Sequence, residues 1–275
     1  MWWITMPFEL ILDFRWLVVI SLSSMAFGVV SPLVLSRRLL FLAGSLPHSA
    51  LLSAILAIIL DRILSIPHQM GSLILSIAMV SSVFYMVSKG VRPDVATAAF
   101  LSLTVSLTAL SLYYVITGFP LRESLWSYLV GDPLLVTWDD VSYAALISLA
   151  ILGINLPVLR KQALIGADRD FARISGVKVA FYDALAAISL AIATVGLLRI
   201  VGFVLEHVMI MLPAITAASL ARSLREFILF SFTISLLGGL AGLILGLLTG
   251  LSPSGCIGLT MFSVYLISML GRGGR

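Results

Sequence analysis

From Phe227 to Gly271 the chain carries no Asp, Glu, Lys or Arg. A helix at a water boundary sets charged residues opposite its apolar stripe, and this run offers no such face. The same holds for Trp16 to Ser36, Leu39 to Leu60 and Gln69 to Ser88. Crossing a bilayer as a helix takes roughly 20 such residues. Only 11% of the 275 residues are charged, against about 25% in a soluble domain, and the mean hydropathy is +1.14. The chain therefore reads as all-α, a polytopic membrane helical bundle forming one domain over residues 1–275.

Hydrophobic runs between charge clusters predict nine crossings, at 16–36, 39–60, 69–88, 94–117, 140–159, 179–198, 201–220, 227–249 and 256–271. The last two join at LSPSG, where Pro253 and Gly255 mark a turn. Eight or nine spans follow, some of them broken or short. If the first crossing ends inside the cell, thirteen of the seventeen Lys and Arg residues fall in inner loops, and only Arg15, Arg62, Arg122 and Arg199 lie outside. The positive-inside rule favours that orientation. It places the N-terminus outside and the C-terminus in the cytoplasm of a plasma or inner membrane.

The basic pI near 9.5 is then the mark of cytoplasmic loops, and no nucleic acid is implied. The single cysteine, Cys256, excludes an internal disulfide and a multi-cysteine metal centre. MWWITMPFELILDFRW has no basic leader and no small-residue cleavage site. It reads as an interfacial segment with Trp2, Trp3 and Trp16 at the headgroups rather than as a removable signal.

Ionisable groups inside an apolar run mark a pathway or a pair. In AGSLPHSALLSA, Pro47 removes a backbone donor and frees the Ala43 carbonyl. His48 follows, flanked by Ser45 and Ser49, about 15 Å along a helix from Arg38 and so near mid-bilayer. In VGFVLEHVMIMLPAITA, Glu206 and His207 are adjacent and Pro213 interrupts the ladder again. Imidazole and carboxylate together suit zinc, manganese or ferrous iron. Helical rise sets Glu206 in the outer half, several ångströms from the level of His48. A second account of Glu206 is a buried pair with Arg199, seven residues earlier, if the helix continues through Gly202. His207 alone reads equally as a hydrogen-bonded packing residue, and His68, after Pro67, as a solvated loop residue. Between Arg160 and Lys178 the chain is rich in both charge signs and reads as a solvated loop or a short amphipathic helix. There is no HExxH, no Walker-type glycine loop and no GxSxG, so no catalytic residue is assigned.

Several stretches resemble, in order, the metal-transporting permeases of ATP-binding-cassette importers. VLSRRLLFLAGSLPHSALLSA resembles that family's RR-M-S-x-x-G-D-A-L-S-H-A at Arg37, Arg38, Gly44, Leu46 and His48. VRPDVATAAF is similar to R-x-D-x-A-I-G, and SYLVGDPLL to Y-L-F-G-D-I-L. ADRDFARISGV is similar to D-E-E-x-A-x-x-x-G at Asp168, Asp170, Ala172 and Gly176. LRIVGFVLEHVMIMLPAITAASLARS resembles the V-G…P-A-A-T-A signature at Val201, Gly202, Leu205, Pro213, Ala214, Thr216 and Ala217, and LSPSG resembles D-L-P-S-G.

The resemblance implies a homodimeric permease core with its pathway at the subunit interface. It implies two cytoplasmic ATP-binding subunits and an extracellular or periplasmic metal-binding protein. The metal is cargo, and no cofactor is permanently bound. It also implies that 160–178, with Asp168, Asp170, Phe171, Ala172, Arg173 and Gly176, is the segment that seats on the ATPase. Two departures stand out. Ser45 replaces the family's aspartate three residues before His48, and Glu206 and His207 replace apolar or small residues. The expectation is compensation, with a carboxylate lost from one helix and regained from the facing one. Readings outside the metal importers are a cobalamin or iron-chelate permease and an ion-coupled transporter with Glu206 as proton carrier.

Overall fold

The computed structural model describes residues 13–118 and 133–270, and every regular element in them is helical. In chain order these are α1 (Phe14–Ser36), α2 (Leu40–Leu64), α3 (His68–Ser88), α4 (Pro93–Gly118), a 3-10 turn (Pro133–Leu135), α5 (Trp138–Asn155), α6 (Leu159–Ala167), α7 (Arg169–Ile174), α8 (Val179–Val201), α9 (Phe203–Leu220), α10 (Leu224–Thr249) and α11 (Pro253–Leu270). Eight of them are each long and apolar enough to span a membrane, and α5 with α6, bent by 58° at their junction, passes the same test only as a pair. The expectations that fall on Trp2, Trp3, Arg122, Arg272, Arg275 and Ser127 to Asp132 lie outside the described residues.

Local chemistry sets the ends. Asp13 caps α1 by accepting from the Arg15 backbone N–H at 2.9 Å. Thr137 and Asp140 cap each other's backbone at the start of α5, and Ser223 accepts from Glu226 N–H at 3.2 Å to open α10. Each cap satisfies donors that the helix cannot.

Packing is concentric. α1 lies at the centre against α5, α8, α9 and α10, and α2 lies against α3, α4 and α8. Most of α1, α2 and α8 is buried, whereas α3, α4, α10 and α11 show much of their surface. That outer surface is apolar, with Leu103, Leu110, Tyr113, Leu237, Leu248 and Ile267 exposed. Lipid tails are the solvent such a face requires. The central contacts are close ones between backbones. A Cβ on Gly28 of α1 would stand 2.9 Å from Cα of Phe232 in α10. Without a hydrophobic drive inside a bilayer, approach of this kind is what holds helices together.

Two breaks stand out, one inside a predicted span and one between two predicted spans. The run 140–159 does not continue as one helix, because α5 stops at Asn155 and the chain turns around Pro157. Proline lacks the N–H that would extend the ladder. The other break is at Gly202, between α8 and α9, with φ +80° and ψ 156°. Only glycine enters that region of backbone space readily. Pro47 and Pro213, by contrast, do not break their helices, since α2 and α9 run through them. The expected interruptions at those prolines are corrected accordingly. Trp16 is tied inward, its indole N–H donating to the Leu134 carbonyl at 3.0 Å.

Candidate functional site

α9 starts directly after Gly202, and its first two turns set Phe203 and His207 on one side, four residues apart. That side meets α2. The rings of His48 and His207 stand 5.7 Å apart between centroids and nearly perpendicular. Phe203 closes the triangle, 4.8 Å from His48 and 4.7 Å from His207. One turn further on, Met211 reaches Gly44 of α2, where its methyl is 3.5 Å from the position of a glycine Cβ. The matched spacing Gly44/His48 against Phe203/His207/Met211 registers the two helices.

His207 is oriented by its own helix. Its Nδ1 lies 2.8 Å from the Phe203 carbonyl, which only accepts, so Nδ1 carries the proton. In a neutral imidazole Nε2 then presents a lone pair. A backbone carbonyl on one ring nitrogen is the usual way a metal-binding histidine is held with the other nitrogen free. Both histidines are half-buried. The site can thus offer imidazole nitrogen from two facing helices.

Glu206 goes elsewhere. A one-residue step rotates a helical side chain by about 100°, which takes Glu206 off the His207 face. It is fully buried in the first turn of α9, and neither carboxylate oxygen has a hydrogen-bond partner among the described residues. Among the described residues no three His, Cys, Asp or Glu side chains form a group able to hold a metal ion. The set His48, Glu206 and His207 therefore does not close as a three-donor cage within them, and the pair that forms is His48 with His207. Nor does Glu206 take Arg199, whose guanidinium lies 3.7 Å from Asp140. The break at Gly202 removes the continuous helix that the Arg199 alternative required. His68 is not a solvated loop residue, because its Nε2 sits 3.0 Å from the Ala54 carbonyl at the start of α3.

The polar groups around the prolines are used locally. Ser45 and Ser49 are buried and donate to the Leu42 and Leu46 carbonyls of their own helix, each at 2.8 Å. Near Pro213 a further contact comes from α1. The Ser31 hydroxyl donates to the Met211 carbonyl at 3.4 Å and accepts from the Ala214 N–H at 3.0 Å.

At one end of the bundle the loop 160–178 contains α6 and α7. Asp168 caps α7, accepting from the N–H groups of Asp170 and Phe171 at 3.0 and 2.9 Å. Ala172 is buried with Ile165 and Val179, and Gly176 leaves the helix at φ +81°. Phe171 and Ile174 stay outside, 56% and 87% exposed, next in sequence to Asp170 and Arg173, which pair at 3.3 Å. Sequence reasoning missed Asp183. This α8 carboxylate is 9% exposed and takes both Arg37 and Arg169. Burial draws the Arg37 guanidinium below its usual pKa, and the facing Asp183 opposes that. The available signal was Asp183 itself, the one acid within the apolar run from Val179 to Leu198.

Among the described residues, eight apolar spans and one bent helix pair are gathered around the two histidines, the build of a multi-pass membrane protein. The comparisons agree. The profile of the ABC 3 transport family matches residues 10–272, and the chain belongs to that family, a family of permeases of ATP-binding-cassette importers. It is 25% identical over 246 residues to the manganese import system permease protein ScaB of Streptococcus parasanguinis, covering 88% of this chain and 84% of that one. It is 27% identical to the high-affinity zinc uptake system membrane protein ZnuB of Buchnera aphidicola subsp. Schizaphis graminum, covering 96% and 99%. In fold it is similar to PsaBC from Streptococcus pneumoniae, solved in complex with a Fab, with a TM-score of 0.78 at 24% identity over 92% of this chain and 89% of that one. An inward-facing putative metal-chelate type ABC transporter gives 0.65 at 16% identity, over 94% and 85%.

Proposed function

We propose that this permease carries a divalent transition-metal ion into the cell, and that His48 and His207 form a station on its path. The observation that carries the reading is the pairing of the two imidazoles across α2 and α9, with the His207 ring held through Nδ1 by the Phe203 carbonyl. Imidazole suits zinc, iron and other borderline metals, and relatives named for manganese and zinc uptake support the same cargo class. Two nitrogens leave coordination positions open. A weak, incomplete site suits conduction, since an ion held too well is not released.

The chain acts as a homodimer with its path at the two-fold interface, so that a second copy brings a second pair of histidines. ATP is hydrolysed in separate cytoplasmic subunits, and a binding protein delivers the ion from outside. Alternating access exposes the station to each side in turn. The N-terminus lies outside and the C-terminus in the cytoplasm, which puts α6 and α7 inside, where the exposed Phe171 and Ile174 seat on the ATPase. Glu206 sits one residue from the station with both oxygens unpartnered, and it becomes the compensating carboxylate in whichever state of the cycle turns it toward the ion.

The test is ATP-dependent uptake into proteoliposomes holding permease, ATPase and binding protein, offered zinc, manganese and iron in turn. One metal is taken up, and His48→Ala and His207→Ala abolish uptake from assembled complexes. Uptake that survives both substitutions would remove the station.

A further inference from the structure

We infer that Asp183 is a positioning residue for energy coupling: by holding Arg37 and Arg169 at once, it locks α7 to the ends of α1 and α8. The inference rests on the reading of α7 as the ATPase contact.

Three elements meet at this carboxylate. Arg37 caps the end of α1, and only 4% of its side chain is exposed. Arg169 is the first residue of α7 and reaches Asp183 with both terminal nitrogens. Asp183 itself lies in the second turn of α8. A guanidinium that takes both carboxylate oxygens binds with fixed geometry; Arg169 does so, and Arg37 adds a buried contact through one nitrogen, so the Asp fixes where α7 sits against α1 and α8. Further contacts hold the same seam. Gly166 of α6 lies against the Ser36 carbonyl with no room for a Cβ. Gln162 donates to the Tyr182 carbonyl at 3.0 Å. Beneath α7, Ala172 packs with Ile165 and Val179.

Both helices in the clamp lead to the histidine station. α8 runs from Asp183 to Gly202 and turns there into α9, which carries His207. α1 runs back from Arg37 to Ser31, whose hydroxyl is bonded to α9 on both sides of Pro213. A displacement of α7 therefore reaches α9 along two packed routes. Coupling through such contacts is a claim about energy and requires a measurement of coupling.

The experiment uses the complete complex of permease, ATPase and binding protein in proteoliposomes. ATP hydrolysed per metal ion moved is measured for wild type, Arg169→Ala, Asp183→Asn and Asp183→Glu. Arg169→Ala leaves the buried Arg37–Asp183 pair in place and so keeps the fold. The expected result is that hydrolysis persists while the ATP spent per ion rises about tenfold, the size of a typical inter-site coupling. Asp183→Asn uncouples at least as strongly, and Asp183→Glu restores most of the ratio. In the same complexes a spin label on Ile174→Cys, in a Cys256→Ala background, becomes more mobile in Arg169→Ala. An unchanged ratio, or hydrolysis and uptake falling together, overturns the inference. A photo-cross-linker at position 174 separates the two readings. Failure to capture the ATPase overturns the docking of α7 and the inference with it, whereas capture with an unchanged ratio overturns the clamp alone.

Discussion

Two buried carboxylates on consecutive helices are treated in opposite ways. Asp183 on α8 is held by two arginines. Glu206 on α9 is more deeply buried and held by nothing among the described residues. A charge removed from water without a partner is costly, and intramembrane carboxylates are kept where a path or a proton needs them. The contrast sorts the molecule into an end built to be fixed and a middle built to receive something.

Stability gives the largest contrast. Asp183→Asn strands Arg37 in a buried site, and breaking such a pair costs about 3–5 kcal/mol. Thermal unfolding in detergent should show a clear loss. Glu206→Gln strands no charged partner, since neither carboxylate oxygen is bonded among the described residues, so the same measurement should show no loss. A large loss at Glu206 would mean that the carboxylate has a structural partner, and the comparison would fail.

Close packing of the central helix ranks next. Gly28→Ala forces a methyl against the backbone of α10, and overpacking of this kind costs roughly 1–3 kcal/mol. Unfolding of that variant should be shifted while metal binding to the folded fraction is retained. The smallest effect belongs to Arg199→Ala. Its pair with Asp140 is half exposed, and such pairs contribute about 0–1 kcal/mol. Stability and uptake should both be near wild type; a loss of uptake would tie Arg199 to the path after all.

The spans were legible because the bilayer writes them as charge-free runs, and each predicted run contains a helix. Their breaks were less so. Pro157 was visible inside 140–159, yet proline also occurs unbroken within α1, α2 and α9. A proline's presence alone therefore does not say whether a helix ends there. Gly202 became decisive only through its positive φ, which no residue count reveals. At the site, helical rise set Glu206 and His207 above His48, but it could not say which of two adjacent residues faces α2. The i, i+4 spacing of Phe203, His207 and Met211, matched by Gly44 and His48, settles that for His207. Asp183 was visible as a lone acid, but its partners lie 146 and 14 residues away in sequence.

The central claim is that His48 and His207 bind the transported ion together. The most direct measurement is X-ray absorption on the purified permease complex in lipid nanodiscs loaded with zinc. The account predicts imidazole scattering with nitrogens at about 2.0–2.1 Å, reduced in both His48→Ala and His207→Ala and unchanged in Arg199→Ala. Zinc bound with no imidazole in its inner sphere, or a spectrum indifferent to both histidines, would contradict it.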